Sequence, residues 1–262
     1  MGQAGSGIAT DILTMLKEEG ATEDEALSRI VAIDAPGMLM EDTRGLEPYQ
    51  KKFAQKRSAV AGWKLQDPGT ITLMDAVRNS GATVLIGVTA QKGLFSEEVL
   101  AQMAKNTEHP IIFGLSNPTS KSECTPEDVA KATKGMGFVA TGSPFAPFQY
   151  TGKEFVTSQC NNMFIFPGMG LGALVSRATK VTSKMFLSAS KALSALVKPE
   201  DRKRNMLLPN LNDIRAVSFH IAKAVAIEAR DSGIGRLLSD EELERVIRKA
   251  QWEPHYYPYK PK

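Results

Sequence analysis

The sequence predicts an α/β fold: a Rossmann-type, doubly wound and mostly parallel sheet that lacks its first strand, followed by a helical C-terminal section. A glycine-rich turn at residues 2–7 runs directly into a helical pattern. Short apolar segments then alternate with helical segments as far as residue 143, which is typical of parallel sheets with crossover helices. Beyond Gly168, helical patterns follow one another with no strand between them. We therefore expect a Rossmann-type domain at residues 1–168 and a helical section of the same region at residues 169–262.

The first element is the glycine turn Met1-Gly2-Gln3-Ala4-Gly5-Ser6-Gly7. In the G-x-G-x-x-G pattern of dinucleotide-binding domains, Gly2 fits the second glycine and Gly5 the third. These glycines let the backbone approach a pyrophosphate that lies over a helix N-terminus. The first glycine would fall one residue before Met1, and the strand that normally leads into such a turn is not in the sequence. We therefore expect the sheet to be incomplete at its centre.

The remaining elements are predicted from apolar periodicity and from capping residues. Thr22 with Glu25 forms a capping box, Ser96 is an N-cap, and Thr125 followed by Pro126 begins a helix. The tail at residues 252–259 is aromatic and proline-rich, and we expect it to pack down as extended chain. Strands are predicted at residues 30–34, 84–88, 110–115 and 138–143, and helices at 7–19, 22–29, 50–55, 70–79, 96–105, from 125 onward, 171–197, 210–232 and 239–250.

Composition excludes several classes of protein. The 32 basic and 29 acidic residues leave a net charge of only +3, and no Lys/Arg-rich block carries interleaved aromatic residues, so no nucleic-acid partner is expected. No apolar run reaches the roughly 18 residues of a membrane span. The two cysteines, Cys124 and Cys160, cannot build a disulfide scaffold, and the three histidines are too far apart to suggest a metal site. We expect a cytoplasmic protein, or one of the mitochondrial matrix if the source is eukaryotic.

Asp34 is the first candidate ligand-binding residue. It ends the second predicted strand, where an acidic side chain commonly accepts hydrogen bonds from the adenosine ribose of a dinucleotide. It lies 29 residues after Gly5, further than the usual spacing of about 20, and the predicted helix at 22–29 accounts for the extra length. The alternative is a glycine-rich helix cap followed by an unrelated loop aspartate.

Asparagine side chains form the second group of candidates. Asn117 follows a predicted strand in Leu115-Ser116-Asn117-Pro118-Thr119, where open α/β sheets place their ligands. Its amide offers a donor and an acceptor, which suits a carboxamide or a hydroxy acid, although an Asn-Pro turn can also be purely structural. Asn161 and Asn162 precede an apolar segment and either face a cleft or cap a helix.

The sequence shows no complete catalytic arrangement. We find no Ser/His/Asp order, no H-E-x-x-H, no acidic metal cluster and no lysine paired with a proton-donating tyrosine. Tyr49, Lys51 and Lys52 are adjacent in a polar loop and are better explained as surface residues. We therefore assign no catalytic residue and no metal ligand in this chain.

Taken together, the segments of this chain resemble the C-terminal, NAD-binding part of NAD-dependent malic enzymes, in the malic and malolactic enzyme family. The similarity covers essentially the whole chain in order, and the ordered set is more specific than any one segment. It rests on Gly2-Gln3-Ala4-Gly5-Ser6-Gly7-Ile8-Ala9, Ala32-Ile33-Asp34-Ala35-Pro36-Gly37-Met38-Leu39, Leu85-Ile86-Gly87-Val88, Gly93-Leu94-Phe95, Leu115-Ser116-Asn117-Pro118-Thr119, Ala140-Thr141-Gly142-Ser143-Pro144-Phe145, Gln159-Cys160-Asn161-Asn162, Phe164-Ile165-Phe166-Pro167-Gly168 and Trp252-Glu253-Pro254.

This resemblance implies oxidative decarboxylation of L-malate to pyruvate and CO2, with NAD accepting the hydride, Mg or Mn assisting, and a homo-oligomeric complete enzyme. It implies substrate contacts from Asn117, Asn161 and Asn162. Gln50 occupies a position where NADP-preferring relatives tend to carry lysine, so its neutral side chain favours NAD. The implied cofactor contacts are Gly2, Gln3, Ala4, Gly5, Asp34, Gln50, Gly87, Val88, Ser116 and Asn117.

The resemblance also implies that the family's proton-donating tyrosine, lysine base, malate-binding arginine and acidic metal ligands lie upstream of Met1. We therefore expect the 262-residue chain to bind NAD weakly and to turn over no malate. The alternative is a non-catalytic NAD-binding or interaction module that pairs with a full-length subunit. A third hypothesis is another Rossmann dehydrogenase, such as an amino-acid dehydrogenase, but the Leu-Ser-Asn-Pro-Thr and Cys-Asn-Asn segments argue against it.

Overall fold

Helices and strands alternate along the first part of the computed structural model, which describes residues 1–254, 256 and 258–259. The elements up to residue 161 are α1 (Gln3–Glu18), α2 (Glu23–Ser28), β1 (Ile33–Asp34), β2 (Gly37–Met38), α3 (Pro48–Lys51), α4 (Leu73–Ser80), β3 (Val84–Gly87), α5 (Glu97–Asn106), β4 (Ile111–Gly114), α6 (Pro126–Ala132), β5 (Phe138–Thr141), β6 (Phe148–Tyr150), β7 (Lys153–Phe155) and β8 (Ser158–Gln159). They are followed by α7 (Phe166–Ser176), α8 (Ser183–Ala195), α9 (Pro199–Lys203), α10 (Ile214–Asp231) and α11 (Asp240–Ala250).

The chain divides into two compact units. The first comprises Met1–Asn161 and Val197–Pro209, and the second Asn162–Leu196 and Asn210–Lys262. The segment that contains α9 thus returns to the first unit, where the Leu207 amide donates to Ser158 Oγ at 2.8 Å. The functional boundary proposed from the sequence, with one section at 1–168 and another at 169–262, stays a prediction.

A parallel sheet with the order β3-β4-β5-β8 forms the centre of the first unit. Its register pairs Leu85 with Ile112 and Ile112 with Val139. These three residues are buried with apolar side chains of the flanking helices, among them Leu100 and Met103 of α5. Burial of a parallel strand by helices explains why each strand is a nearly continuous apolar run. The predicted α/β, Rossmann-type fold is confirmed.

Short strands account for most differences from the sequence prediction. The predicted strand at 30–34 is only the two-residue β1, which pairs antiparallel with β2 and not with the main sheet, because the Ala35-Pro36 turn reverses the chain immediately. The hairpin of β6 and β7 and the fourth sheet strand β8 were not predicted. They are two or three residues long, too short to show a period.

Helices build the second unit, as predicted, but the expected helix at 171–197 is two helices. Arg177 adopts a left-handed conformation (φ 52°), and the Ala178 amide bonds back to the Ala173 carbonyl oxygen. The chain turns there, and Thr182 caps α8. The first helix, α7, packs on α10, where Ala222 and Ala226 are fully buried.

The C-terminal tail departs from its prediction in the part that is described. Trp252, Tyr256 and Tyr259 are exposed, so the expectation that they pack down is wrong. His255 and Tyr257 lie outside the described residues. Across the part of the chain that the structure describes, no helix has the length and apolar composition needed to cross a membrane.

Candidate functional site

The N-terminus of α1 is an open, uncapped helix end. Gly2 is its N-cap in extended conformation, no side chain caps the first turn, and that turn carries no acidic residue. The first N–H groups of a helix have no partner within the helix, and the helix dipole places partial positive charge there. Gln3 and Ala4 are the first two residues of α1 and are exposed. The predicted glycine turn is therefore a helix end that suits an anion.

Gly5 places this helix end beside the end of β3. A Cβ built at Gly5 would lie 3.4 Å from Val88 Cγ2, whereas a Cβ at Gly2 or Gly7 would meet no atom within 4 Å. Val88 directly follows β3 and is half-buried. The structure thus brings together Gly5 and Val88, which the sequence predicted as contacts of the same ligand.

Asp34 and Gln50 meet at the other side of the α1 N-terminus. Gln50 Nε2 donates to Asp34 Oδ2 at 2.8 Å, and the Ala35 amide donates to Oδ1 at 2.8 Å. The N-terminal ammonium of Met1 lies 2.5 Å from Oδ2. Its hydrogen bond is the main cause that holds the pKa of Asp34 below its ordinary value. This side chain is 36% exposed, so an ionised carboxylate faces the surface at this point.

The Gln50 amide is fixed on both sides. Its oxygen accepts from the Glu47 amide at 3.0 Å, while its nitrogen also donates to the Met1 carbonyl oxygen at 2.8 Å. The side chain is buried. Gln50 is therefore a rigid donor to Asp34, although the helix that carries it, α3, is shorter than the predicted 50–55 segment and begins before it.

Asn117 is oriented by the loop that follows β5. Ser143 Oγ donates to Asn117 Oδ1 at 2.6 Å, so the amide NH2 is the group that the exposed side chain can present. A Cβ at Gly142 would overlap the Leu115 carbonyl oxygen. Only glycine allows these two loops to approach so closely, and this approach sets the Asn117 orientation.

Glu123 is the site residue that sequence reasoning missed. Its carboxylate is fully buried and accepts hydrogen bonds from Thr89 N and Oγ1, both at 2.8 Å, and from Ser116 Oγ at 2.5 Å and Ser116 N at 3.3 Å. Burial alone would raise the pKa of Glu123, but the bonds from Ser116 and Thr89 outweigh it, so the pKa is lowered. The one sequence signal is an acid in Ser122-Glu123-Cys124, beside a cysteine of the kind that is usually buried.

The predicted substrate residues are distributed over both units. Asn117 and Asn161 belong to the first unit, and Asn162 belongs to the second, where it begins a 3-10 helix, Asn162–Phe164. The Cys160 amide, next to Asn161, donates to the Thr141 carbonyl oxygen at 2.8 Å. Their roles toward a substrate stay predictions.

A divalent metal does not fit the residues that the structure describes. Within residues 1–254, 256 and 258–259, no three His, Cys, Asp or Glu side chains are grouped as ligands of a metal ion. No chemical step through a metal is therefore derived from this chain.

An uncapped glycine-rich helix start, an acid beside it and polar loops at the carboxyl ends of parallel strands define a nucleotide-binding domain of the Rossmann type. Residues 1–230 match the family model for the malic enzyme NAD binding domain. The chain belongs to this family, and the resemblance inferred from the sequence is confirmed.

Relatives and solved structures agree with this assignment. The chain is 44% identical over 259 residues to the NAD-dependent malic enzyme of Sodalis glossinidius, and 43% identical over 259 residues to that of Proteus mirabilis. Each match covers 99% of this chain and 46% of the relative, so the chain spans about half the length of these relatives. The crystal structure of Entamoeba histolytica malic enzyme matches 90% of this chain and 44% of its own with a TM-score of 0.67 at 24% identity, which shows the fold. Malic enzyme from Pyrococcus horikoshii matches 81% of this chain and 43% of its own with a TM-score of 0.59 at 26% identity.

Proposed function

We propose that this chain binds NAD along a row of contacts that runs from Asp34 past the α1 N-terminus to Asn117. The observation that carries the proposal is the continuity of this row within one unit. Asp34 contacts Met1, Gly5 lies against Val88, and the loops after β3 and β4 are joined at Ser116. These are ordered as the adenosine, pyrophosphate and nicotinamide parts of a dinucleotide are ordered.

The negative charge of Asp34 supports the proposed position of the adenosine ribose and a preference for NAD over NADP. The ionised Asp34 carboxylate can accept hydrogen bonds from the ribose hydroxyls of NAD. The additional 2′-phosphate of NADP would bring like charge against it, which disfavours binding. Gln50 holds this carboxylate in place without adding charge, because its amide is neutral, whereas the Met1 ammonium on Oδ2 offsets part of the carboxylate's charge.

The remaining contacts support the positions proposed for the pyrophosphate and the nicotinamide. The uncapped first turn of α1 offers N–H groups and partial positive charge to the pyrophosphate. The Asn117 amide NH2, oriented by Ser143, would donate to the nicotinamide carboxamide or to a substrate oxygen. NAD, when bound, supplies the hydride acceptor.

We further propose that the longer relatives' reaction, malate oxidation and decarboxylation to pyruvate and CO2, is not performed by these 262 residues alone. The described residues provide no grouped metal ligands. The chain would contribute the NAD site and Asn117 of the first unit to an active site that other residues complete. The substrate roles of Asn161 and Asn162 stay predictions. Purified chain with NAD, malate and Mn²⁺ should form no NADH, and measurable NADH formation would refute this part of the proposal.

The proposed NAD site can be tested with a pair of glycine variants. Gly5→Leu places a bulky side chain between the first turn of α1 and Val88, while Gly7→Leu adds the same side chain two residues along. Two residues of an α-helix correspond to about 200° of rotation, so the second side chain points away from the site. Titration calorimetry should detect NAD binding by the wild type and by Gly7→Leu, and a strong loss in Gly5→Leu. Equal binding by both variants, or no binding by the wild type, would refute the proposal.

A second candidate function is an NAD-binding module that docks on a longer subunit of the same family. It is favoured by α7, which exposes Phe166 (73%) and Leu174 (77%), each about one turn from Gly170 and about two turns from each other. An exposed apolar face of this kind marks an interaction surface. Co-expression with a full-length relative should yield a stable complex, which Leu174→Lys disrupts; absence of any complex would exclude this candidate.

A further inference from the structure

We propose that Glu123 is a positioning residue that holds the nicotinamide end of the site in its binding conformation. This inference rests on the proposed function and assigns a role to a residue that touches no ligand. Glu123 is fully buried, so it acts only through the two loops to which it is bonded. These are Thr89–Ala90 after β3 and Ser116–Asn117 after β4.

The hydrogen bonds of Glu123 join these loops to one carboxylate. Oε1 accepts from the amide and hydroxyl of Thr89 and from the hydroxyl of Ser116, and Oε2 accepts from the Ser116 amide. Hydrogen bonds to an ionised acceptor are stronger than those between neutral groups. Removal of the charge therefore weakens four bonds at once, two in each loop.

Ser116 completes a ring of hydrogen bonds that runs through Glu123, Thr89, Ala90 and Ser116. Its hydroxyl donates to Glu123 and accepts from the Ala90 amide at 2.8 Å. Ala90 has a φ of 56°, a left-handed conformation that is unfavourable for a residue with a side chain. The bond to Ser116 holds Ala90 in this conformation, and Glu123 in turn orients the Ser116 hydroxyl.

The side chain of Glu123 also explains the glycine that ends β3. A Cβ built at Gly87 would lie 2.6 Å from Glu123 Cγ and 2.7 Å from Phe95 Cζ. Position 87 must therefore be glycine for Glu123 to reach Thr89 across the end of the strand. The contact of Gly87 with the cofactor stays a prediction. The packing of Glu123 is by itself a sufficient reason for a glycine at position 87.

Asn117 connects this ring to the ligand. It follows Ser116 directly, and its amide is fixed from the other side by Ser143. Loss of Glu123 would leave the Asn117 side chain bonded to Ser143 but would remove the carboxylate that holds the preceding residue, Ser116. The adenosine end at Asp34 shares none of these bonds, so the two ends of the cofactor should respond differently to a change at Glu123.

Glu123→Gln tests this role when NADH and ADP-ribose are compared as ligands of the full chain. Both ligands share the adenosine and pyrophosphate parts, but only NADH carries the nicotinamide. We expect the Kd of NADH, measured from its fluorescence, to rise at least tenfold and the fluorescence change of its nicotinamide on binding to be lost. The Kd of ADP-ribose from calorimetry should change less than twofold.

Asp75→Asn is the matched control. Asp75 lies in the first turn of α4 and is also a fully buried carboxylate. It accepts hydrogen bonds from the amide and hydroxyl of Thr72 and from the Gln66 amide. This variant should lower the melting temperature but leave the ratio of the two Kd values unchanged. If Glu123 has a purely structural role, Glu123→Gln will also lower the melting temperature without changing the ratio of the two Kd values. That result would overturn the inference.

Thr89→Val provides a second test if Glu123→Gln does not fold. Thr89 is an exposed residue, and valine removes its hydroxyl donor to Glu123 while keeping the side-chain shape. The NADH Kd should rise about threefold, again with ADP-ribose unaffected, and an unchanged NADH Kd would contradict the inference. If the wild type binds neither ligand, the proposed function fails; if it binds both and the variants do not discriminate between them, only the role of Glu123 fails.

Discussion

Gly172→Ala tests whether a close approach of two helices holds the second unit together. A Cβ at Gly172 would lie 2.7 Å from the Ala222 carbonyl oxygen and 2.8 Å from Val225 Cβ, both in α10. Gly168, one turn earlier in α7, faces the same helix, with Ile221 Cβ 2.7 Å from its Cβ position. The obstructing atoms are backbone or attached directly to it, so α7 and α10 would have to separate.

The magnitude follows from two opposing effects. Overpacking of a close contact costs about 1–3 kcal/mol, and the backbone obstacle at Gly172 places the cost near the upper end. Alanine recovers about 1 kcal/mol through its better helix propensity. We therefore expect a net loss of about 2 kcal/mol from Gly172→Ala.

Gly170→Ala is the matched control in the same helix. A Cβ at Gly170 meets no atom within 4 Å, so only the propensity gain of about 1 kcal/mol remains. The two variants should therefore differ by about 3 kcal/mol in the free energy of unfolding. Urea unfolding followed by far-ultraviolet circular dichroism measures this difference. If Gly172→Ala is as stable as Gly170→Ala, the close helix contact does not exist as described.

Two further experiments, pH-dependent unfolding and thiol labelling, test the surroundings of Glu123 and of the two cysteines. The pKa of Glu123 is lowered in the folded chain, so its contribution to stability is present above its ordinary value of 4.5 and is lost as pH falls through the lowered value. Urea midpoints measured across acidic pH should depend less on pH in Glu123→Gln, and an unaltered dependence would contradict this assignment. Burial raises the pKa of Cys124 to about 12 and also raises that of Cys160, so neither thiol should react quickly with a disulfide reagent at neutral pH until urea unfolds the chain. Rapid labelling of Cys124 in the native chain would show that this side of the sheet is open.

Elements whose signal is local were predicted from the sequence. The strands β3, β4 and β5 are continuous apolar runs, because helices bury the sheet. The caps at Thr22, Ser96 and Thr125 each bond to a backbone amide three residues later, so their residue types suffice to place the helix starts. Local patterns of this kind require no knowledge of the rest of the fold.

Elements that depend on distant residues were not predicted. Ser158 and Gln159 form β8 only because β5 offers an unpaired edge beside them. The end of α7 at Arg177 is hidden because the helix is apolar on nearly all sides, so its period does not change there. Two-residue strands and breaks inside apolar segments are decided by tertiary pairing.

The candidate site divides in the same way. Residue type and strand position were enough to select Asp34 and Asn117, whereas Gln50 was selected only through the resemblance to malic enzymes. The structure places all three in one unit. Glu123 could not be selected, because its partners lie 7 and 34 residues away in the sequence. A buried carboxylate is recognised by its donors, and those are known only from the fold.

The two ends of the proposed NAD site are built differently. At the nicotinamide end, the loops after β3, β4 and β5 are joined by Glu123, by Ser116 and by the close approach of Gly142 to Leu115. At the adenosine end, Asp34 is partly exposed and its partners are Gln50, Ala35 and the Met1 ammonium. A preorganised nicotinamide end requires little loop ordering on binding, which lowers the entropic cost of association. Because the exposed carboxylate lies at the other end, Asp34 should govern which dinucleotide binds, while Glu123 governs how its reactive ring is held.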